Sequence, residues 1–434
     1  AWKCSTAITT IAAIVGCSSS GGSGSSGGAT TTAQATATTS GSSGTAGPAT
    51  TEGAPGGVDD FAWRAPATGD PIVIGLVNTE GTPGLDFPDM RIDTDAAADY
   101  LNQHGGFGGR TVKIEHCKAA GTPDSSQACA QELVGKKVDL VMLGLDVFPG
   151  YSTYEAAGLP VVGALPILPG DYTAKARFIT GGNLTTMAAM VVMAVEHFHA
   201  KTAGIISADN PGSNASEAAL TGALKKAGIT YVSIKGGDNE TDAGFQGLMR
   251  QATEKNPDVL FSLYSDAGCI GAMRARVALG LTMPGISTPI CAGSAVLDAV
   301  GSDAQGWAFA GVGTPGHTGP GDEFAVIVKA AQGDAPITSI GVGALGIYTV
   351  MTLGRAANHL AAAGTTITGA ALYDLLSTSK DLPIFPNGNP TACGTVAAYP
   401  SVCSFVFPLG EYVEGGPVRT IEGFDAVSVV DYLP

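Results

Sequence analysis

Cysteine and histidine are the side chains here with the widest chemistry, and the chain has 8 and 6 of them. Six cysteines lie in the body of the chain: Cys117, Cys129, Cys269, Cys291, Cys393 and Cys403. An even set is what a disulfide framework uses, although six cysteines allow about fifteen pairings. The economical choice is three local pairs, Cys117–Cys129, Cys269–Cys291 and Cys393–Cys403, each contributing ~2–4 kcal/mol. The alternative is a metal site, for which no C-x-x-C pair exists, and no metal is expected. His197 and His199 flank Phe198 at a helix end. Positions i and i+2 do not share a helix face, so joint ligation is awkward, and protonated histidines suit a helix C-terminus. His104, His116, His317 and His359 have no ligand spacing. Gly24-Ser25-Ser26-Gly27-Gly28 fits the G-x-S-x-G pattern without the strand and helix that a nucleophile elbow needs. Gly105 to Gly109 precedes a strand instead of following one, the wrong context for a dinucleotide loop. No phosphate-cradling G-x-x-x-x-G-K-[ST] loop and no nucleophile–base pair are legible. Asn183-Leu184-Thr185 and Asn214-Ala215-Ser216 fit the glycosylation sequon and carry no further argument. No cofactor is expected and the chain does not read as an enzyme.

Composition narrows the classes further. A net charge of −16 opposes non-specific nucleic-acid binding and attachment to anionic lipid through basic residues. A hydrophobic fraction of 44% over 434 residues is enough for sizeable cores, and the length suggests more than one folding unit.

The amino-terminal stretch reads as targeting. Lys3 precedes a short apolar run through Ile8, Ile11, Ala12, Ala13, Ile14 and Val15. It is too short to span a bilayer, which takes about 20 apolar residues, and fits the h-region of an export signal. Ile14-Val15-Gly16-Cys17 resembles the lipobox of bacterial lipoproteins, in which Cys17 receives lipid and becomes the mature N-terminus. Ser18 to Gly57 is Ser, Gly, Thr and Ala with a few Pro, and Glu52 is its only charge. Such a tract is expected to be a flexible tether with a coil dimension of about 35 Å.

The elements that would position any site begin at Pro71. Ile72–Val77 is a continuous apolar run, expected as a strand buried on both faces. Then come helix Asp93–Asn102, the turn at Gly105–Gly109, strand Thr111–His116, helix Ser125–Val134, strand Val138–Leu143, a short helix near Tyr154 and strand Pro160–Gly163. A second set runs from a helix through Met187, Met190, Val191, Ala194 and Phe198 to strand Ala203–Ser207, helix Ala215–Ala227, strand Thr230–Ile234 and helix Gly244–Glu254. Strand Val259–Leu263, helix Cys269–Leu279 and strands Pro289–Cys291 and Trp307–Val312 complete it. Helices near Glu323–Ala331, Gly343–Ala363 and Gly369–Ser377 follow, then strand-like Cys403–Pro408 and Val418–Val427. Alternating strands and helices predict an α/β fold of two doubly wound parallel-sheet lobes.

The opening strand, the helix ending at Asn102 and Gly105-Gly106-Phe107-Gly108-Gly109-Arg110 together resemble the periplasmic leucine/isoleucine/valine-binding protein family, the type I solute-binding proteins of ABC transporters. Lys137–Gly144, Leu159-Pro160-Val161-Val162, Glu217–Gly228, Asp242–Gln251 and Asn256-Pro257-Asp258-Val259-Leu260 continue the likeness. The resemblance implies two lobes joined by a hinge of three crossovers, closing on a ligand in the cleft. The expected organisation is a signal at 1–16, a lipidated Cys and linker at 17–57, lobe 1 at 70–182 plus 314–385, and lobe 2 at 183–313 plus 386–434. It also implies an importer subunit that captures a small polar solute of a branched-chain amino-acid or amide-like class. Its partners would be an ABC permease with its ATPase subunits, and the membrane through lipid on Cys17. No nucleic acid is expected. The chain is expected to be an exported monomer on the extracytoplasmic face. The alternatives are a ligand-sensing receptor of the same fold and a secreted α/β enzyme.

Ligands of doubly wound sheets sit beyond the carboxyl ends of the strands. The candidate binding residues there are Asn78, Thr79, Glu80, Leu145, Asp146, Val147, Ala164 and Leu165 in lobe 1. Lobe 2 offers Asp209, Asn210, Tyr264, Ser265, Asp266, Gly293 and Ser294. Amino-acid binders of this family place Ser and Thr after the third and fourth strands of lobe 1. Here those places read Gly144-Leu145-Asp146-Val147 and Gly163-Ala164-Leu165-Pro166, and no acidic partner for an ammonium stands near Gly293-Ser294. An amide or cation met by Asp146, Asp209 or Asp266 is therefore the expected ligand.

Overall fold

The computed structural model describes residues 57–434 apart from 63, 83–85, 238–239, 312–321, 334–342, 387 and 415–417, and of Pro211, Asp266, Ser294 and Ala295 it describes the backbone only. The expected signal, Cys17 and the tether up to residue 56 lie outside the described residues.

The apolar run at Ile72–Val77 sits inside a longer strand, β1 (Gly69–Thr79). It is followed by α1 (Pro88–Gln103), β2 (Arg110–Ala119), α2 (Pro123–Lys136), β3 (Leu140–Leu143), α3 (Tyr151–Ala156), β4 (Val161–Gly163) and β5 (Arg177–Phe178). These strands form one sheet in the order β2-β1-β3-β4-β5, every neighbouring pair parallel. Helix starts follow local chemistry. Pro88 and Pro123 stand in first turns, where a missing N–H costs nothing, and the Thr122 hydroxyl accepts from Ser125 N to cap α2.

A second set starts with α4 (Gly182–Val192), which runs into a π-helical turn at Met193–His197. Then come β6 (Thr202–Ala208), α5 (Pro211–Lys226), β7 (Thr230–Gly236), α6 (Asp242–Ala252), β8 (Val259–Leu263), α7 (Asp266–Ala278), β9 (Gly285–Ser287), α8 (Ser294–Val300) and β10 (Trp307–Ala310). Three helices follow: α9 (Glu323–Gln332), α10 (Gly343–Ala362) and α11 (Gly369–Thr378). The chain closes with β11 (Val406–Phe407), β12 (Leu409–Glu411), β13 (Arg419–Thr420) and β14 (Val427–Ser428). The second sheet reads β7-β6-β8-β9-β10, parallel throughout, with β12 and β13 added antiparallel at the β10 edge. Taken in chain order, both parallel sets have the arrangement 2-1-3-4-5.

The two sheets share a packing device as well as an order. In β1, a Cβ on Gly75 would lie 2.8 Å from Leu133 of α2. In β6, a Cβ on Gly204 would lie 2.6 Å from the Ala252 carbonyl at the end of α6. Each first strand carries a glycine where a helix packs closely on it. One core joins β1, α1, α10 and α11 through residues such as Ile74, Leu101, Val350 and Leu372. Another joins α4, β6, α5 and the carboxyl-terminal segments through Met190, Ile205, Leu224 and Val429.

Three expected strands need correction. Pro289–Cys291 is part of a 3₁₀ turn, Pro289–Ala292, and the strand lies earlier at Gly285–Ser287. Proline has no N–H for the ladder, and its fixed φ suits the first position of a turn. Val418–Val427 is two separate two-residue strands, β13 and β14, on different sheets. Cys403–Pro408 contributes only Val406–Phe407. The three local disulfides are present as Cys117–Cys129, Cys269–Cys291 and Cys393–Cys403.

Candidate functional site

In each β-α unit the chain leaves a strand at its carboxyl end and enters the next helix at that same edge. The switch point of each sheet lies where the order reverses, between β1 and β3 and between β6 and β8. The residues that follow those strands therefore define the candidate site.

In the first lobe most of their polar atoms turn inward. Asn78 is 1% exposed. Its amide nitrogen donates to the Phe87 carbonyl at 2.7 Å and to Glu80 Oε1 at 3.3 Å, and its Oδ1 accepts from Leu145 N at 3.0 Å. Asn78 is a clasp between β1, the entry to α1 and the loop after β3. Glu80 is held between Arg91 at 3.0 Å and Lys118 at 3.1 Å. Burial pushes its carboxyl up, but the bonds to Arg91 and Lys118 outweigh it and leave it below its usual range. Asp146 is buried, with Oδ1 accepting from Ser126 Oγ at 2.5 Å and Phe148 N at 3.2 Å. Burial raises its carboxyl above the ordinary range, and Asp171 nearby adds to this. Thr79 Oγ1 and Asp146 Oδ2, both buried, have no hydrogen-bond partner among the described residues.

The apolar candidates differ. Leu145 and Ala164 are buried beside Met90, and Phe87, Leu165, Ile167 and Leu345 pack half-buried against them. Val147 is half-buried, and Phe148 after it is exposed. The carbonyl of Ala164 accepts from Thr180 Oγ1 at 2.7 Å.

In the second lobe Asp209 is exposed and accepts from Asn214 Nδ2 at 3.2 Å. Asn210 caps α5 by accepting from Ser213 N at 2.8 Å. Tyr264 is buried in the lobe's core, its ring edge-on to Phe245 at 4.9 Å. Its side chain thus serves packing, because β8 is covered on both faces. Ser265 is exposed at the start of α7, where Asp266 is the first helical residue. Gly293 precedes α8, which Ser294 begins. The structure therefore brings Asn78, Glu80, Leu145, Asp146, Ala164 and Leu165 into one neighbourhood, although the first two and Asp146 are occupied internally. Met90, Phe87, Ile167 and Leu345 belong to that neighbourhood and were not expected. The only signal for Phe87 and Ile167 is a large apolar residue in a loop beside a proline.

Among the described residues, no group of His, Cys, Asp or Glu is arranged to hold a metal ion. His197 closes the π-helical turn, its ring edge-on to Phe198 and Phe424. No described helix is long and apolar enough to cross a membrane.

Residues 71–397 match the family described as periplasmic binding protein. The chain belongs to that family. It consists of extracytoplasmic binding proteins and receptors. An ABC transporter substrate-binding protein from Sphaerobacter thermophilus shares 18% identity and a TM-score of 0.67, covering 84% of this chain and 100% of its own. A solute-binding protein of an ABC transporter from R. palustris, solved with 4-hydroxybenzoate, shares 18% identity and a TM-score of 0.60, over 83% of this chain and 97% of its own. A leucine-binding protein from Thermotoga maritima shares 14% identity and a TM-score of 0.60, over 83% and 99%. These likenesses show the type I fold of two lobes. No curated protein matches the chain in sequence.

Proposed function

We propose that this periplasmic binding protein is the solute-capturing subunit of an ABC importer, and that its two lobes close on one small molecule. The observation that carries this is the repeated 2-1-3-4-5 order, which gives each lobe a switch point at its carboxyl edge. Two such edges closing together bury a small solute almost wholly, and the closed form is what a permease could read. Lobe 1 is assigned to 70–182 plus 314–385 and lobe 2 to 183–313 plus 386–434. Lipid on Cys17 would hold the monomer to the membrane, and it hands solute over without chemical turnover.

The branched-chain part of the expected ligand class keeps support in the apolar cluster around Leu145. The leucine and 4-hydroxybenzoate named for two structural relatives both join an apolar body to a carboxylate, which agrees with it. Of the carboxylates expected to meet an amide or cation, Asp146 loses support because it is buried and bonded to Ser126, while Asp209 stays exposed.

The test is a thermal-shift screen of the purified protein over amino acids, amides, polyamines and aromatic acids. A ligand that binds only the folded state raises the melting point, by about 2.7 kcal/mol of stability at a hundredfold excess over Kd. A reproducible shift by one solute class is expected, and a flat response across the panel would sink the reading.

A further inference from the structure

Resting on the solute-binding reading, we propose that the ligand is a small molecule with a branched-hydrocarbon or aromatic body and no cationic group, its body seated on Phe87, Leu165, Ile167 and Leu345. Two independent features of lobe 1 lead there.

The first is how the charged and polar groups at the carboxyl edge are spent. Glu80 lies between Arg91 and Lys118 with a side chain only 4% exposed. Asp146 bonds Ser126 and Phe148 N, Asp86 accepts from Gly81 N, and Asn78 is committed on both sides of its amide. An ammonium drawn against this edge of lobe 1 must shed water, and the described carboxylates there are already bonded, Asp146 keeping only one buried oxygen without a described partner, so little repays that loss. Asp89 at the start of α1 and Asp209 in the second lobe are exposed, so a pair formed at either would be screened by solvent.

The second feature is what the edge leaves available. Phe87, Leu165, Ile167 and Leu345 stay half-buried over the floor of Met90, Leu145 and Ala164. Phe148 and Leu168, in the loops after β3 and β4, are 38% and 37% exposed. Large apolar side chains left together at one edge of a domain mark a binding surface. Small-molecule sites are mostly apolar with a few placed polar groups. The occupant that fits both features is an organic acid or neutral compound whose larger part is hydrocarbon, as distinct from an α-amino acid or an amine.

Calorimetry on the full chain decides this with four probes: benzoate, 4-methylpentanoate, leucine and putrescine. Leucine has the hydrocarbon skeleton of 4-methylpentanoate with an added ammonium group, so that pair isolates the charge. We expect one of the two acids to bind, 4-methylpentanoate to bind at least tenfold tighter than leucine, and Ile167→Asn and Leu345→Asn each to weaken acid binding at least tenfold. The unliganded melting point of each variant checks that it folds, and the second variant serves if the first does not. Leucine binding as tightly as 4-methylpentanoate, or either folded variant binding like the parent, would overturn the inference. Binding of putrescine alone would overturn it while leaving the solute-binding function intact. Failure of all four, together with a flat response in the broader screen, would remove both.

Discussion

Among single residues, Asp93 makes the sharpest physical claim. It is fully buried on α1, where Gln332 at the end of α9 donates to both carboxylate oxygens at 2.9 and 3.1 Å. It also presses on the start of α10, since a Cβ on Gly343 would collide with it. Burial is the largest cause lifting its pKa from 3.8 to about 6, with Asp89 adding to the rise and the Gln332 bond opposing it. Between those values the folded chain keeps a proton that the unfolded chain has already lost. The stability that Asp93 contributes is therefore fully present at the acid end, declines as pH rises through this window, and is gone above it. Asp93→Asn cannot ionise and keeps a similar shape. The two proteins should melt together near pH 4, and by pH 7 the variant should melt a few degrees higher, a gap that parallel thermal melts would measure. A constant gap across that range would refute the assignment.

At the scale of elements, the Cys269–Cys291 disulfide ties the first turns of α7 to the 3₁₀ turn after β9. Both segments lie at the carboxyl edge of the second sheet, so the bond fixes two loops that border the candidate site. Replacing both cysteines with serine should cost ~2–4 kcal/mol in urea unfolding and weaken solute binding as well. Unchanged affinity would show that the edge is held by packing alone. These elements also show what a sequence conveys. The strands buried on both faces, β1, β3, β6 and β8, are legible as apolar runs because nothing but a sheet core needs them. Strand β5 is two residues long and carries no pattern; it pairs with β4 and is held on its other side by backbone hydrogen bonds between Phe178 and Ser401 and Cys403 from the far end of the chain. The same non-locality hides the site. Glu80 and Asp146 read as ligand carboxylates until Arg91, Lys118 and Ser126 fold onto them, and no spacing rule brings those partners together. The candidate positions were legible from strand ends, while their availability to a ligand was not.

For the whole molecule, the question is which parts must stay rigid if the two lobes close on a solute as proposed. The described chain begins with a segment locked to the first lobe. Phe61 is fully buried in that lobe's core against Leu101 and Gly354, and Glu323 accepts from the backbone nitrogens of Phe61 and Ala62 at 3.0 and 3.2 Å. Asp59 meets His359 Nε2 at 2.8 Å, and Ala67 donates to the Asn102 carbonyl at 2.8 Å. Asn102 closes α1 and also bonds Val112 at the start of β2, so this anchor sits at the amino edge of the sheet. The candidate site occupies the opposite, carboxyl edge. An anchor so placed can be weakened without touching the cleft. Phe61→Ala should therefore lose about 3–5 kcal/mol in urea unfolding, the usual cost of emptying a buried phenylalanine site. Its affinity for whichever solute the parent binds should change less than twofold. A large loss of affinity in a variant that still folds would mean that the two edges are coupled through β1. The first lobe would then be a moving part of the capture mechanism instead of the frame against which the second lobe closes.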